Sequence, residues 1–79
     1  MVDDTQIPTV EPGVYYHYKD PLKHYEVIGV GQNTETDEFE VIYKPLYESE
    51  VEYWTRSYTM FVGSIEKDGK IIPRFTKVN

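Results

Sequence analysis

Residues 23–47 read KHYEVIGVGQNTETDEFEVIYKPLY, and the expected fold follows from how this stretch is divided. Two runs rich in Val, Ile and Tyr flank NTETDE at 33–38, whose Asn, Asp and Thr side chains favour a turn by hydrogen-bonding the nearby backbone. The pattern predicts a strand over 23–32, a turn, and a strand over 39–47. Gly29 and Gly31 lie inside the first run. Glycine weakens a strand by leaving nothing to pack, so the pair predicts a bulge or a strong bend there. Pro45 lacks a ladder donor and predicts an edge or bulge late in the second run.

Outward from this hairpin the same signals recur. GVYYHY at 13–18 reads as a first strand, and KDPL at 19–22 as its turn, because Asp-Pro favours turn initiation. Downstream, ESE turns into a fourth strand, VEYWTR at 51–56, and SYTM at 57–60 fits a single 3₁₀ turn. FVGSIEK at 61–67 then runs through Asp68-Gly69, a strong hairpin signal, into KIIPRFTKV, with the strand expected to end soon after Pro73. No segment carries a helical period long enough for an amphipathic helix. The chain is therefore expected to be all-β, a small SH3-like barrel of five or six strands, since curling a sheet encloses a core and protects most edges. An OB-like barrel is the runner-up; it usually holds a helix between strands. Residues 1–12, with Pro8 and Pro12 and no periodicity, are expected to be a flexible arm, and 13–79 a single small β-barrel domain.

A chain of 79 residues allows one domain, which buries only about 60–65% of the surface its unfolded form exposes. There is no cysteine, so no disulfide or thiolate site supports it; eight tyrosines, three phenylalanines and Trp54 take that place. Each such ring removes about 150–250 Å² from water when enclosed. No run of about 18 apolar residues exists, and the first residues are acidic, so neither a membrane span nor a secretory signal is expected. The default expectation is a cytoplasmic protein without membrane partners.

The net charge is −6, and Glu35, Asp37, Glu38, Glu40, Glu48, Glu50 and Glu52 face only Lys44 across the middle of the chain. Counterion release requires clustered Lys and Arg, so direct nucleic-acid binding is disfavoured. These acids read either as solvated strand faces or as a docking surface for a basic protein, imitating nucleic acid.

Chemical motifs are scarce. No phosphate-binding glycine loop is present, and Gly29-Val30-Gly31 lies within a strand. His17 and His24 do not have metal-ligand spacing, so no metal or cofactor is expected. None of Ser49, Ser57 and Ser64 stands in a nucleophile elbow. Carboxylates abound, yet so short a chain has little room for a cleft between two of them. The expectation is non-enzymatic, with catalysis through His17 as the open exception.

Side chains alternate along a strand, so Tyr15, His17 and Lys19 share one face of the first strand and Val14, Tyr16 and Tyr18 the other. On the fourth strand Trp54 and Arg56 share a face with Glu52. On the third, Val41, Tyr43 and Pro45 oppose Glu40, Ile42 and Lys44. A Trp54–Arg56 stack is worth about 0.5–2 kcal/mol. Each of these rings also has a plain reading as core or rim.

The order PGVYYHYKD at 12–20, HYEVIGVGQNTETDEFEVIYKPLY at 24–47, YWTRSYTMF at 53–61 and IPRF at 72–75 resembles the family of small, mainly bacterial domains of unknown function numbered 1653. Gly13, Val14, Tyr15, His17, Tyr18 and Lys19 match its opening, and Tyr25, Glu26, Val27 and Gly29 its second segment. Thr34, Glu35 and Thr36 match its turn; Val41, Ile42, Tyr43, Lys44, Leu46 and Tyr47 its next strand; Trp54, Arg56, Met60 and Phe61 its later motifs. Tyr16 stands for arginine, Asn33 for histidine, Asp37 for a turn glycine, Lys44 for arginine and Ser57 for proline. A site built on that second histidine is lost or altered here. The resemblance adds weight to the Tyr15, His17, Lys19 face and assigns no chemistry.

The leading expectation is a binding module whose Tyr15, His17, Lys19, Tyr43, Tyr47, Trp54 and Arg56 line a groove for a small planar or anionic molecule, such as a nucleotide, or for a peptide. The alternative makes Glu35, Asp37, Glu38, Glu40, Glu48, Glu50 and Glu52 a surface that docks on a basic partner.

Overall fold

The protein is described by a computed structural model over residues 7–78. Its elements in chain order are β1 Gly13–His17, β2 Asp20–Gln32, β3 Phe39–Pro45, β4 Trp54–Ser57, α1 Tyr58–Val62, β5 Ser64–Lys67, β6 Lys70–Pro73 and β7 Phe75–Lys77. All the strand pairings are antiparallel. Five strands form one sheet in the order β4-β3-β2-β1-β7, and β5 with β6 forms a separate hairpin. The expected all-β class holds, with one five-residue helix added.

The hairpin expected over 23–47 is the centre of this sheet, β2 pairing β3 from Gln32↔Phe39 to Tyr25↔Pro45. Its register slips between Val27 and Gly29, which leaves the half-exposed Ile28 unpaired. This is the bulge the glycines announced, and it bends the strand. The turn is tied by Asn33, whose N–H donates to the Glu38 carbonyl at 2.8 Å and whose carbonyl accepts from the Asp37 N–H at 2.7 Å. The Asn33 Oδ1 also accepts from the N–H groups of Glu35 and Thr36, at 2.9 and 3.2 Å. Asp37 has φ 64°, a left-handed conformation that glycine adopts most readily and Asp tolerates. Asp68 and Gly69, with φ 54° and 78°, join β5 to β6 as the Asp-Gly signal required.

Several boundaries differ from expectation. The first turn is Tyr18–Lys19 rather than 19–22, and β2 already begins at Asp20. Pairing passes from His17↔Asp20 to Tyr16↔His24, so residues 21–23 bulge out and Pro21 costs no ladder hydrogen bond. β3 ends at Pro45 and β4 starts only at Trp54. Residues 58–62 form a helical turn in place of the 3₁₀ turn at 57–60, because the Ser57 Oγ accepts from the Met60 N–H at 3.3 Å and caps it. Phe61 and Val62 thus belong to α1, and β5 begins at Ser64. β6 ends at Pro73 as expected, and a further strand, β7, follows beside β1.

Of the expected arm, residues 1–6 lie outside the described residues. Residues 7–12 lie against the domain: Val10 packs on the core, the Tyr58 hydroxyl donates to the Thr9 carbonyl at 2.9 Å, and the Tyr15 hydroxyl donates to the Glu11 carbonyl at 2.7 Å.

The core gathers Tyr15, Tyr25, Val27, Val41, Tyr43, Phe61 and Phe75 on one side of the sheet. In a flat sheet the edge strands β4 and β7 would lie about 19 Å apart, four spacings of about 4.8 Å. Instead the Arg56 guanidinium, on β4, sits 5.3 Å from the ring centre of Phe75, on β7. The same ring is 4.9 Å from His17, 6.1 Å from Tyr25 and 5.7 Å from Tyr43, and stacks on Phe61 at 4.1 Å. The sheet therefore curls tightly around Phe75. The bulges in β2 supply the bend, and α1 pushes Phe61 into the hollow.

Phe61→Ala should lower stability by about 3–5 kcal/mol, as for other buried aromatic residues, whereas Met60→Ala, one residue away and exposed, should cost less than about 1 kcal/mol. Urea unfolding measures both; equal losses would contradict the insertion of Phe61.

Candidate functional site

The seven candidate side chains do not line one groove. Tyr15 and Tyr43 are buried, at 8% and 2% exposure, and are walls of the core. Burial, and then the Glu11 carboxylate, hold the Tyr15 phenol above its ordinary pKa. Tyr47 is half-buried, donates to the Tyr25 hydroxyl at 3.3 Å and lies under the Lys23 ammonium at 5.1 Å. Burial, with that hydrogen bond second, raises the Tyr25 pKa strongly. Trp54 is half-buried at the sheet edge, its ring 6.2 Å from Tyr25 and 6.3 Å from Tyr43.

His17, Lys19 and Arg56 do come together, at the end of β1. The His17 ring is half-buried, 4.7 Å from Tyr18 and edge-on to Phe75. Its Nδ1 accepts from the Lys19 N–H at 3.2 Å, so the Nε2 carries the proton of the neutral ring. The expected Trp54–Arg56 stack is replaced by Arg56 over Phe75: both side chains leave the same face of β4, and the curl carries Arg56 across to β7. That contact keeps a guanidinium near apolar surface without a carboxylate.

Arg74 joins this cluster and was not among the residues singled out. It stands in the bend between β6 and β7, its N–H donating to the Gly63 carbonyl and its carbonyl accepting from the Tyr18 N–H, both at 3.0 Å. It lies past Pro73, where β6 ends; the alternation of Phe75, Thr76 and Lys77 is the signal for the further strand. Burial first, then Arg56, Arg74 and Lys19, hold the His17 pKa below its ordinary value. Among the described residues none of Lys19, Arg56 and Arg74 makes an ion pair; the pairs present are Lys23–Asp20 at 3.9 Å and Lys77–Glu11 at 3.7 Å.

The acidic residues do not form one surface. Glu35, Asp37 and Glu38 lie exposed in the turn before β3, and Glu48, Glu50 and Glu52 lie exposed in the loop after it. The seven residues of β3 separate the two groups by about 20 Å at about 3.4 Å per residue. Glu40 lies between, accepting from the Asn33 Nδ2 at 3.2 Å. Asn33, in the place of a histidine in the resembled pattern, is thus fully engaged in holding the turn. A groove of about 360 Å³ runs beside Tyr47, Glu48, Glu50, Val51 and Glu52, and another of about 280 Å³ between Pro8, Phe39 and Tyr58. Neither includes His17, Arg56 or Arg74. Among the described residues no group of three or more His, Cys, Asp or Glu is placed to hold a metal ion, and no helix is long and apolar enough to cross a membrane.

The profile of the family described as "protein of unknown function (DUF1653)" matches residues 13–77, from the first residue of β1 to the last of β7. The chain belongs to DUF1653. A crystal structure of a DUF1653 protein from Bordetella bronchiseptica is 34% identical, aligns over 87% of each chain and superposes with a TM-score of 0.76. No curated protein sequence matches significantly. The DUF1653 match embraces every candidate residue, including Arg74 and Phe75, and stops short of the residues 7–12 that pack against the domain.

A histidine with a lowered pKa resists protonation in the folded state, while the unfolded chain takes up its proton near pH 6.5. Stability contributed by neutral His17 is therefore present above about pH 6.5 and is lost as pH falls toward the folded-state pKa. Urea midpoints should fall between pH 7.5 and pH 5, and fall less in His17→Gln. An identical fall in both proteins would contradict the assignment.

Proposed function

We propose that this DUF1653 protein is a non-enzymatic binding module that presents His17, Lys19, Trp54, Arg56 and Arg74 to a small anionic ligand with a planar part, a nucleotide being the chemical type. The observation that carries this reading is the gathering of Lys19, Arg56 and Arg74 around His17 without ion-pair partners among the described residues, in a chain of net charge −6. Like charges converge at a cost, and a bound anion would offset it. Trp54, at the edge of the sheet, offers a ring for the planar part. The platform belongs to an SH3-like barrel in this reading. Support for the barrel comes from the last strand returning beside the first, the bulged second strand, and the meeting of β4 with β7 through Arg56 and Phe75.

A second reading rests on the loop after β3, where exposed Leu46, Val51 and Tyr53 alternate with Glu48, Glu50 and Glu52 beside a groove. That mixture fits a basic protein segment with apolar anchors. Division of the acids between two ends of β3 weakens the broader form of this reading, an acidic surface extending from Glu35 to Glu52.

Trp54 is the sole tryptophan, so its fluorescence reports the platform directly. Titration with adenosine monophosphate should quench it saturably, and Arg56→Gln should weaken binding at least 10-fold, about 1.4 kcal/mol. Trp54→Ala should lose binding while keeping a β-type circular dichroism spectrum. Binding unchanged in Arg56→Gln would overturn the proposal. Capture of a basic peptide that weakens steeply with salt and survives Trp54→Ala would favour the acidic loop instead.

A further inference from the structure

The Arg74 side chain is half-buried, and its Nε is buried with no hydrogen-bond partner. A charged donor removed from water without an acceptor is costly, and such groups in folded proteins usually have one. The backbone of Arg74 cannot relieve this, because its N–H and carbonyl are already bonded to Gly63 and Tyr18. Arg56 is held over the ring of the next residue, Phe75, and Lys19 follows Tyr18, whose N–H bonds the Arg74 carbonyl, in the β1–β2 turn. His17 contributes a donor as well, since its Nδ1 is occupied by the Lys19 N–H. The place thus combines two guanidinium forks, an ammonium and an imidazole N–H.

We infer that Arg74 and Arg56 form a phosphate-monoester site, in which the half-buried Arg74 side chain turns outward so that its Nε–H and a terminal N–H donate side by side to two phosphate oxygens. This deepens the binding-module reading and rests on it. Guanidinium matches phosphate with paired, charge-assisted bonds that a point charge does not reproduce. A carboxylate carries one negative charge against three cations, whereas a phosphate monoester carries close to two and balances them better. A polyanionic nucleic acid fits less well, because the chain as a whole carries a net charge of −6. A single terminal phosphate feels chiefly the local field, since charges beyond about 8 Å are screened at physiological salt. Bound phosphate also relieves the repulsion that Arg56, Arg74 and Lys19 exert on protonated His17, so the imidazole should titrate at higher pH in the complex.

The test is an NMR titration of the protein with inorganic phosphate at pH 7.5, with acetate at matched ionic strength as comparison, following the arginine Nε–Hε signals and the His17 ring. The Arg74 Nε–Hε signal should shift saturably with phosphate, at least 10-fold tighter than with acetate. In Arg74→Lys, which keeps the charge and loses the fork, affinity should fall at least 10-fold while the backbone spectrum stays dispersed; Arg56→Lys serves if that variant does not fold. Equal response to acetate would overturn the phosphate assignment and leave the binding module standing. So would a mononucleotide response at Trp54 with no movement of Arg74. No response to phosphate, acetate or mononucleotide would overturn both.

Discussion

The ring of Phe75 is the contact on which the rest of the structure depends. It belongs to a three-residue edge strand, yet it touches side chains from β1, β2, β3 and β4 and stacks on Phe61 of α1. Only a tightly curled sheet permits one residue such a set of neighbours. A chain this short, without cysteine, has few other ways to exclude water. Edge-to-face aromatic pairs, each worth about 0.5–1.5 kcal/mol beyond the area they bury, link Tyr15 to Phe61 and Tyr25 to Tyr43 in the same nest. The curl needs hinges, and the sequence supplies them in β2, at the bulge beside Gly29 and at the looped-out residues 21–23.

The same constraint assembles the basic cluster. Arg56 reaches the Phe75 ring on β7 because the sheet curls around it, and Arg74 precedes Phe75 in the chain. His17 lies against the ring from β1. An aromatic face, rather than a carboxylate, lies against the Arg56 guanidinium. The acids lie in the turns that flank β3, where water solvates them.

Much of this was legible in the sequence, for reasons tied to particular residues. The Asn33 turn, the glycine-marked bulge and the Asp68-Gly69 hairpin are local devices, determined by a few neighbouring side chains, and they stand where expected. The Asp37 position, where the resembled pattern has glycine, has the positive φ that such a residue implies. Alternation also assigned faces well: Tyr15, His17, Tyr43, Trp54 and Arg56 do point to the inner side of the sheet. What alternation lacks is depth. Tyr15 and Tyr43 lie mid-strand beneath the curl and are buried, whereas His17 and Arg56 lie nearer strand ends and reach the rim. Pro21, expected in the first turn, stands instead in a bulge of β2, and Pro73 does end a strand, while tertiary packing adds a further one, β7, after it.

The most direct measurement is the set of nuclear Overhauser contacts from the Phe75 ring protons. A sheet curled around Phe75 predicts cross-peaks to Arg56 on β4 and Tyr43 on β3 together with those to His17 on β1 and Phe61 on α1. Contacts confined to β1 and α1, with none to Arg56 or Tyr43, would mean that the sheet does not curl around Phe75 and that the basic cluster is not assembled.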